Sequence, residues 1–262
     1  MLYAIKMKFS PPEIAHTFRK AFIFSINLYF KMAYQYTYLL MGLIFLAIWL
    51  ALFIWRKNTR KEMLIISIIF GIIGPFVEFI YTTDWWSPHF LFGFSSAGIE
   101  DILFGFVCGG IAVVVYENIF KKKLKIRKVS KTKEEKRNIS FLFILSLAAL
   151  LFFIPFFVFG LNSLYSTIIG LSIPTLIIWI KRKDLILDSL ATGIILVLIT
   201  SLVYSILEFL TPGWVSAFWH FKNVPNLIIL NVPIDDIIWY FLAGLFIGPL
   251  YEYWQESKLV NA

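Results

Sequence analysis

Long uncharged stretches alternate with short polar breaks along this chain, and their lengths are those of membrane crossings. Residues 35–55 carry no charge, residues 63–83 carry only Glu78, and residues 102–116 are again uncharged. A basic segment, 121–137, interrupts the series. Residues 138–180 are uncharged throughout and too long for one crossing, which predicts a tight turn at Phe159-Gly160-Leu161-Asn162-Ser163. The run 185–210 follows, with Asp188 near its start and Glu208 near its end, and 237–251 closes the set. About 20 apolar residues cross a bilayer core as a helix, so the pattern predicts an all-α polytopic membrane bundle of about seven transmembrane helices. The apolar stretch 21–30, between Arg19-Lys20 and Lys31, is too short to cross and predicts an interfacial helix in an N-terminal segment, 1–34.

The pattern repeats. Gly98-Ile99-Glu100-Asp101-Ile102 is matched by Pro233-Ile234-Asp235-Asp236-Ile237, Gly109 by Gly244, and Tyr116-Glu117 by Tyr251-Glu252, all at one constant spacing. Earlier in each unit Glu78-Phe79 corresponds to Glu208-Phe209, and Trp85 lies near the place of Trp214. Spans one to three therefore correspond to spans five to seven, and the offset of four spans makes both units run the same way through the membrane, a parallel 3+1+3 tandem. The expected organisation is a first three-helix repeat at 35–119, a basic loop and linker helix at 120–160, a second repeat at 161–255 and a tail at 256–262.

Composition agrees with the bilayer as solvent: 60% of residues are hydrophobic, 15% are charged and the mean hydropathy is +0.80. The formal charge of +8 does not point to nucleic acid, because Lys and Arg crowd the connections after spans one, three and five, which marks those connections as cytoplasmic. The expected setting is a multi-pass protein of the cell membrane. The first residues show no cleavable signal pattern, so the N-terminus is expected to be retained. The single cysteine, Cys108, excludes an intrachain disulfide and reads as packing. His16, His89 and His220 have no metal-ligand spacing, and no G-x-G-x-x-G or Walker motif is present, so neither a metal nor another cofactor is expected.

What remains is carboxylic acids beside aromatics. Glu78 and Glu208 fall near the outer ends of spans two and six, and Glu100, Asp101, Asp235 and Asp236 at the outer starts of spans three and seven. Each adjacent pair has two readings. A helix N-terminus favours a capping carboxylate. Neighbouring helical residues point about 100° apart, so if one acid caps, the other faces the bundle, where lost hydration favours the neutral form and a proton donor results. Glu117 and Glu252, at the inner ends, read as interfacial residues. Trp85, Trp86, Phe104, Phe106, Trp214, Trp219, Trp239 and Tyr240 border the acids; belt anchors are the default for such residues. An acid beside aromatic faces in an apolar pocket is also what protonation of an alkene requires, since the rings stabilise the carbocation.

These motifs resemble those of the membrane lycopene cyclases of the heterodimeric bacterial and fused archaeal/fungal type, whose cyclase domain is a tandem of three-helix units. In that family each unit has a Trp-rich loop followed by P-x-E-[ED] and aromatic residues. Tyr81-Thr82-Thr83-Asp84-Trp85-Trp86 and Gly98-Ile99-Glu100-Asp101-Ile102-Leu103-Phe104 look like the first unit's pair, and Gly213-Trp214, Trp219 and Val232-Pro233-Ile234-Asp235-Asp236-Ile237-Ile238-Trp239-Tyr240 like the second's. Gly98 stands where the motif has proline, Asp235 where it has the first glutamate, and the loop aspartate is displaced to Asp84. The resemblance implies redox-neutral cyclisation of the end groups of lycopene or a related polyene. Glu100, Asp101, Asp235 and Asp236 would be the candidate proton donors, with Glu78 or Glu208 taking the proton back. Trp85, Trp86, Phe104, Trp214, Trp219, Trp239 and Tyr240 would line the substrate. The implied partners are a lipophilic polyene and the lipid bilayer, without nucleic acid; a homo-oligomer is left open. Two other readings compete. A small-molecule transporter can share the 3+1+3 repeat, although no Pro-Gln pair marks kinked helices here and the acids lie toward one face. The other is a non-catalytic carotenoid-binding member of the family.

Overall fold

A computed structural model describes residues 34–93, 95–125, 130–222 and 225–261. The expected interfacial helix at 21–30 lies outside these residues. The bundle is all-α, with seven helices long and apolar enough to cross a membrane among the described residues. α1 (Thr37–Trp55), α2 (Arg60–Asp84) and α3 (Ile99–Ile119) form the first unit. α4 (Lys131–Phe157) follows, then α5 (Ser163–Lys181), α6 (Ile186–Leu210) and a short outer helix α7 (Trp214–Phe218). The last span is α8 (Ile234–Ile247), which Gly248-Pro249 interrupts before α9 (Leu250–Gln255). Two small antiparallel pairs stand at opposite ends of the bundle: β1 (Lys122–Lys125) ties to β4 (Lys258–Asn261) at the end of the basic connections, and β2 (Ile228–Ile229) to β3 (Val232–Pro233) at the other, called the outer end.

The turn expected at 159–163 falls between α4 and α5, where the Asn162 side chain caps α5 by accepting from the Leu164 N–H at 2.8 Å. The basic segment 121–137 is not loop throughout. Its residues from Lys131 on form the first turns of α4, which extends beyond the apolar run because Lys, Glu and Arg are good helix formers and Arg137 donates to the Gln255 carbonyl at 3.2 Å.

Helices pair most closely within each unit. α2 packs on α3, α6 packs on α8, and α5 packs on α4 and α8. Close approach is made by glycine, as membrane helices require when no water drives them together: a Cβ on Gly244 would lie 2.5 Å from the Gly193 Cα, and one on Gly74 2.5 Å from the Asp101 carbonyl oxygen. α3 and α8 are the inner helices of the bundle, while α2 and α4 turn most of their apolar surface outward.

Glu117 and Glu252 do not face lipid or water. Both are fully buried within the protein at the end beside the basic connections, where Glu62 and Asp188 join them. The reason is helix depth: α3 continues past Glu117 to Ile119 and α9 past Glu252 to Gln255, and β1 and β4 close over that end.

Candidate active site

The two outer Trp-containing connections close on each other. The Ser87 N–H donates to the Phe218 carbonyl at 2.7 Å, the His220 N–H to the Trp85 carbonyl at 2.9 Å, and Trp86 pairs with Trp219 as an isolated antiparallel bridge. Ser87 Oγ and His220 Nε2 meet at 2.8 Å. Partial burial and Lys222 hold the His220 imidazole below its ordinary pKa. Asp84 reaches the start of the second unit: its carboxylate accepts from the Ser163 N–H at 2.9 Å and the Ser163 hydroxyl at 2.5 Å. The first unit's loop is thereby bound to the start of the second unit and to that unit's own outer connection.

Beneath this clamp the acids take different places. Asp101 both caps and faces inward. Its Oδ2 accepts from the Gly98 N–H at 2.6 Å, and its Oδ1 from the Tyr38 hydroxyl at 2.5 Å. In the second unit the residue matching Gly98 is Pro233, which has no N–H to offer. There the tasks divide: Asp235 Oδ1 accepts locally from the Asp236 N–H at 3.0 Å, and Asp236 turns inward. Asp236 Oδ1 accepts from the Trp85 and Trp219 indoles at 3.2 and 3.3 Å, and Oδ2 accepts from the Tyr204 hydroxyl. A first-unit tryptophan thus holds a second-unit acid.

Glu78, also buried, has both Asp101 and Asp236 as electrostatic neighbours and Trp86 as its polar partner, and its Oε1 has no hydrogen-bond partner. Glu100 turns away, accepting from the Leu91 N–H at 2.6 Å, and Glu208 accepts from the Gly213 N–H at 2.7 Å at the half-buried end of α6.

These inward groups border a cavity of about 450 Å³. Its walls are apolar apart from Asp101, Asp236, Glu78 and a few hydroxyls. Trp85, Trp86, Phe104, Trp219, Trp239 and Tyr240 line it, whereas Trp214 lies behind, fully buried against Tyr204 and Trp219. The Trp239 indole donates to the Tyr81 hydroxyl at 2.9 Å, which meets Thr167 of α5 at 2.9 Å, so three helices fix one ring. The pocket is apolar with few convergent polar groups, the form expected of a site for a small apolar group.

The lycopene cyclase family profile matches residues 33–119 and 162–254, more than half of the chain, in two tandem segments. The chain belongs to the lycopene cyclase family. No curated protein and no solved structure matches it. Membership makes it a membrane carotenoid cyclase in general terms.

Of the acids expected at a lycopene cyclase site, the structure brings Glu78, Asp101 and Asp236 to the cavity, while Glu100, Asp235 and Glu208 lie outside its wall. Tyr38 and Tyr204 escaped the sequence reading because a tyrosine inside an apolar run reads as packing. So did α4, which lines the cavity through Leu145, Ala148, Ala149, Phe152 and Phe153 and had no polar residue to mark it as more than a linker.

Proposed function

We propose that this cyclase closes the end groups of lycopene, or of a closely related linear polyene, by proton transfer without net oxidation or reduction. The observation that carries the reading is that three carboxyl groups from both repeats converge on one aromatic, apolar cavity. Every oxygen of Asp101 and Asp236 already accepts from a hydroxyl, indole or amide, and Glu78 Oε1 has no partner. Glu78 is therefore the group that hands a proton to the terminal double bond, in place of the motif acids expected from the sequence. The electron pair of the next double bond in reach attacks the resulting cation and closes the ring. The new ring cation then loses a proton to the Glu78 carboxylate, which restores the site and leaves an isomer of the substrate. Asp101, Asp236 and the faces of Phe104, Trp239 and Tyr240 stabilise the positive charge while it exists.

Production of the protein in lycopene-accumulating bacterial membranes tests this reading. Conversion to monocyclic or bicyclic pigment is expected, and lycopene left unchanged by well-expressed protein would overturn it.

A further inference from the structure

The cavity has a second side that the acid chemistry does not use. Between α2 and α4 its lining reaches the outer surface of the bundle: Phe76 is 66% exposed and Ala149 is exposed, yet both border the cavity. α2 packs on α3 and α4 on α5, but the two are not packed along each other. Phe76 precedes the end of α2 by eight residues and Ala149 precedes the end of α4 by eight, which puts both about 12 Å inward of the outer helix ends, at hydrocarbon depth. The lining from α4 is wholly apolar, and Glu78 is the one acidic residue that α2 adds to it. On the aqueous side the way is shut, because Trp85, Trp86, Trp214 and Trp219 are buried under the clamped outer connections.

We infer that the gap between α2 and α4 is a lateral portal through which an apolar chain enters the cavity end-first from the lipid phase. The inference rests on the polyene reading for the identity of that chain, and its occupant is the uncyclised remainder of the substrate. A volume of about 450 Å³ stands low in the roughly 300–1,000 Å³ range that encloses a drug-sized ligand. It admits one terminus of a long polyene and leaves the remainder against Phe76, Ala149 and Phe153 and in the bilayer. The two ends of one molecule must then react in separate visits, with withdrawal into the membrane between them.

Photolabelling with an uncharged aryl diazirine dissolved in the bilayer tests the portal, because Cys108 is buried within the protein yet lines the cavity. Irradiation of the full chain in membranes is expected to place label on Cys108 itself, as distinct from the exposed Ile102 of the same helix, and added lycopene is expected to protect Cys108. Ala149→Trp, which overfills the gap, should cut that labelling about tenfold. Leu150→Trp is the control: Leu150 is exposed on the same helix and does not border the cavity, so its labelling should match the wild type. An unlabelled Cys108, or Cys108 labelling that Ala149→Trp leaves unchanged, would overturn the portal. Should Ala149→Trp not accumulate, lycopene protection of the wild type decides the question, and its absence overturns the portal for this occupant. Pigment analysis on the same membranes reads the cyclase assignment separately, so portal-dependent labelling without ring closure would sink that assignment and leave the portal standing.

Discussion

The two ends of this bundle bury the same residue types for different results. At the outer end Glu78, Asp101 and Asp236 meet hydroxyl, indole and amide donors and border an apolar cavity. At the opposite end, beside the basic connections, Glu62, Glu117, Asp188 and Glu252 are buried as deeply, at 0–3% exposure, yet Glu62, Glu117 and Glu252 meet no hydroxyl, indole or amide donor, only one another's carboxyl groups, and none of the four borders the cavity. Their neighbours are one another, while the nearby guanidinium groups of Arg56 and Arg182 are engaged by the carbonyls of Glu117, at 2.5 Å, and Glu252, at 3.2 Å. A buried acid in a membrane bundle is therefore not enough to mark a site. Donors that orient the carboxyl and open space where a substrate carbon can sit are what separate the two clusters.

The largest expected effects break one cluster and spare the other. Glu78→Gln and Asp236→Asn should lower ring closure by about 10²–10⁴-fold, the usual range for a lost acid–base or charge-stabilising group, with lycopene still retained on purification. Pigment analysis reads the loss, and an equal loss in Glu117→Gln would erase the distinction between the two ends. Tyr204→Phe and Tyr38→Phe remove hydrogen bonds to carboxylates worth about 1.5–3 kcal/mol each. Their turnover should fall by roughly tenfold to a hundredfold, and unaltered rates in both variants would show that these hydroxyls do not organise the acids. Glu252→Gln and Glu117→Gln supply a permanent amide donor to a cluster whose carboxyl groups otherwise have only one another as partners. Turnover should stay within about twofold of wild type and thermal stability should rise by about 1 kcal/mol, as a melting curve in detergent would record.

The smallest effect belongs to the clamp above the outer site. The pKa of His220 is lower in the folded protein than in the unfolded chain, so on acidification the unfolded chain takes up protons first. Stability contributed by neutral His220 is full above its unfolded pKa and is lost as pH falls toward the folded value. Melting temperature should decline slightly below about pH 6.5, and His220→Asn should remove that part of the decline; an identical slope in the variant would exclude His220 as its source.

Sequence alone determined the membrane spans, their order and the tandem repeat. Span length follows from bilayer thickness, and charge breaks mark the ends, so α1 to α6 and the turn between α4 and α5 could be read locally. It also assembled the set of acids from which the site is drawn. Tertiary structure decided which of them share a space, because two adjacent acids differ only in azimuth about a helix axis, and azimuth acquires meaning only against neighbouring helices. That is why Asp101 both caps and faces inward, why Asp235 stays with its own backbone while Asp236 reaches Tyr204, Trp85 and Trp219, and why Glu208 remains at the bundle's edge although it repeats Glu78. The burial of Glu117 and Glu252 and the role of α4 as a cavity wall were equally invisible, since both depend on which surfaces meet and not on what residues they contain.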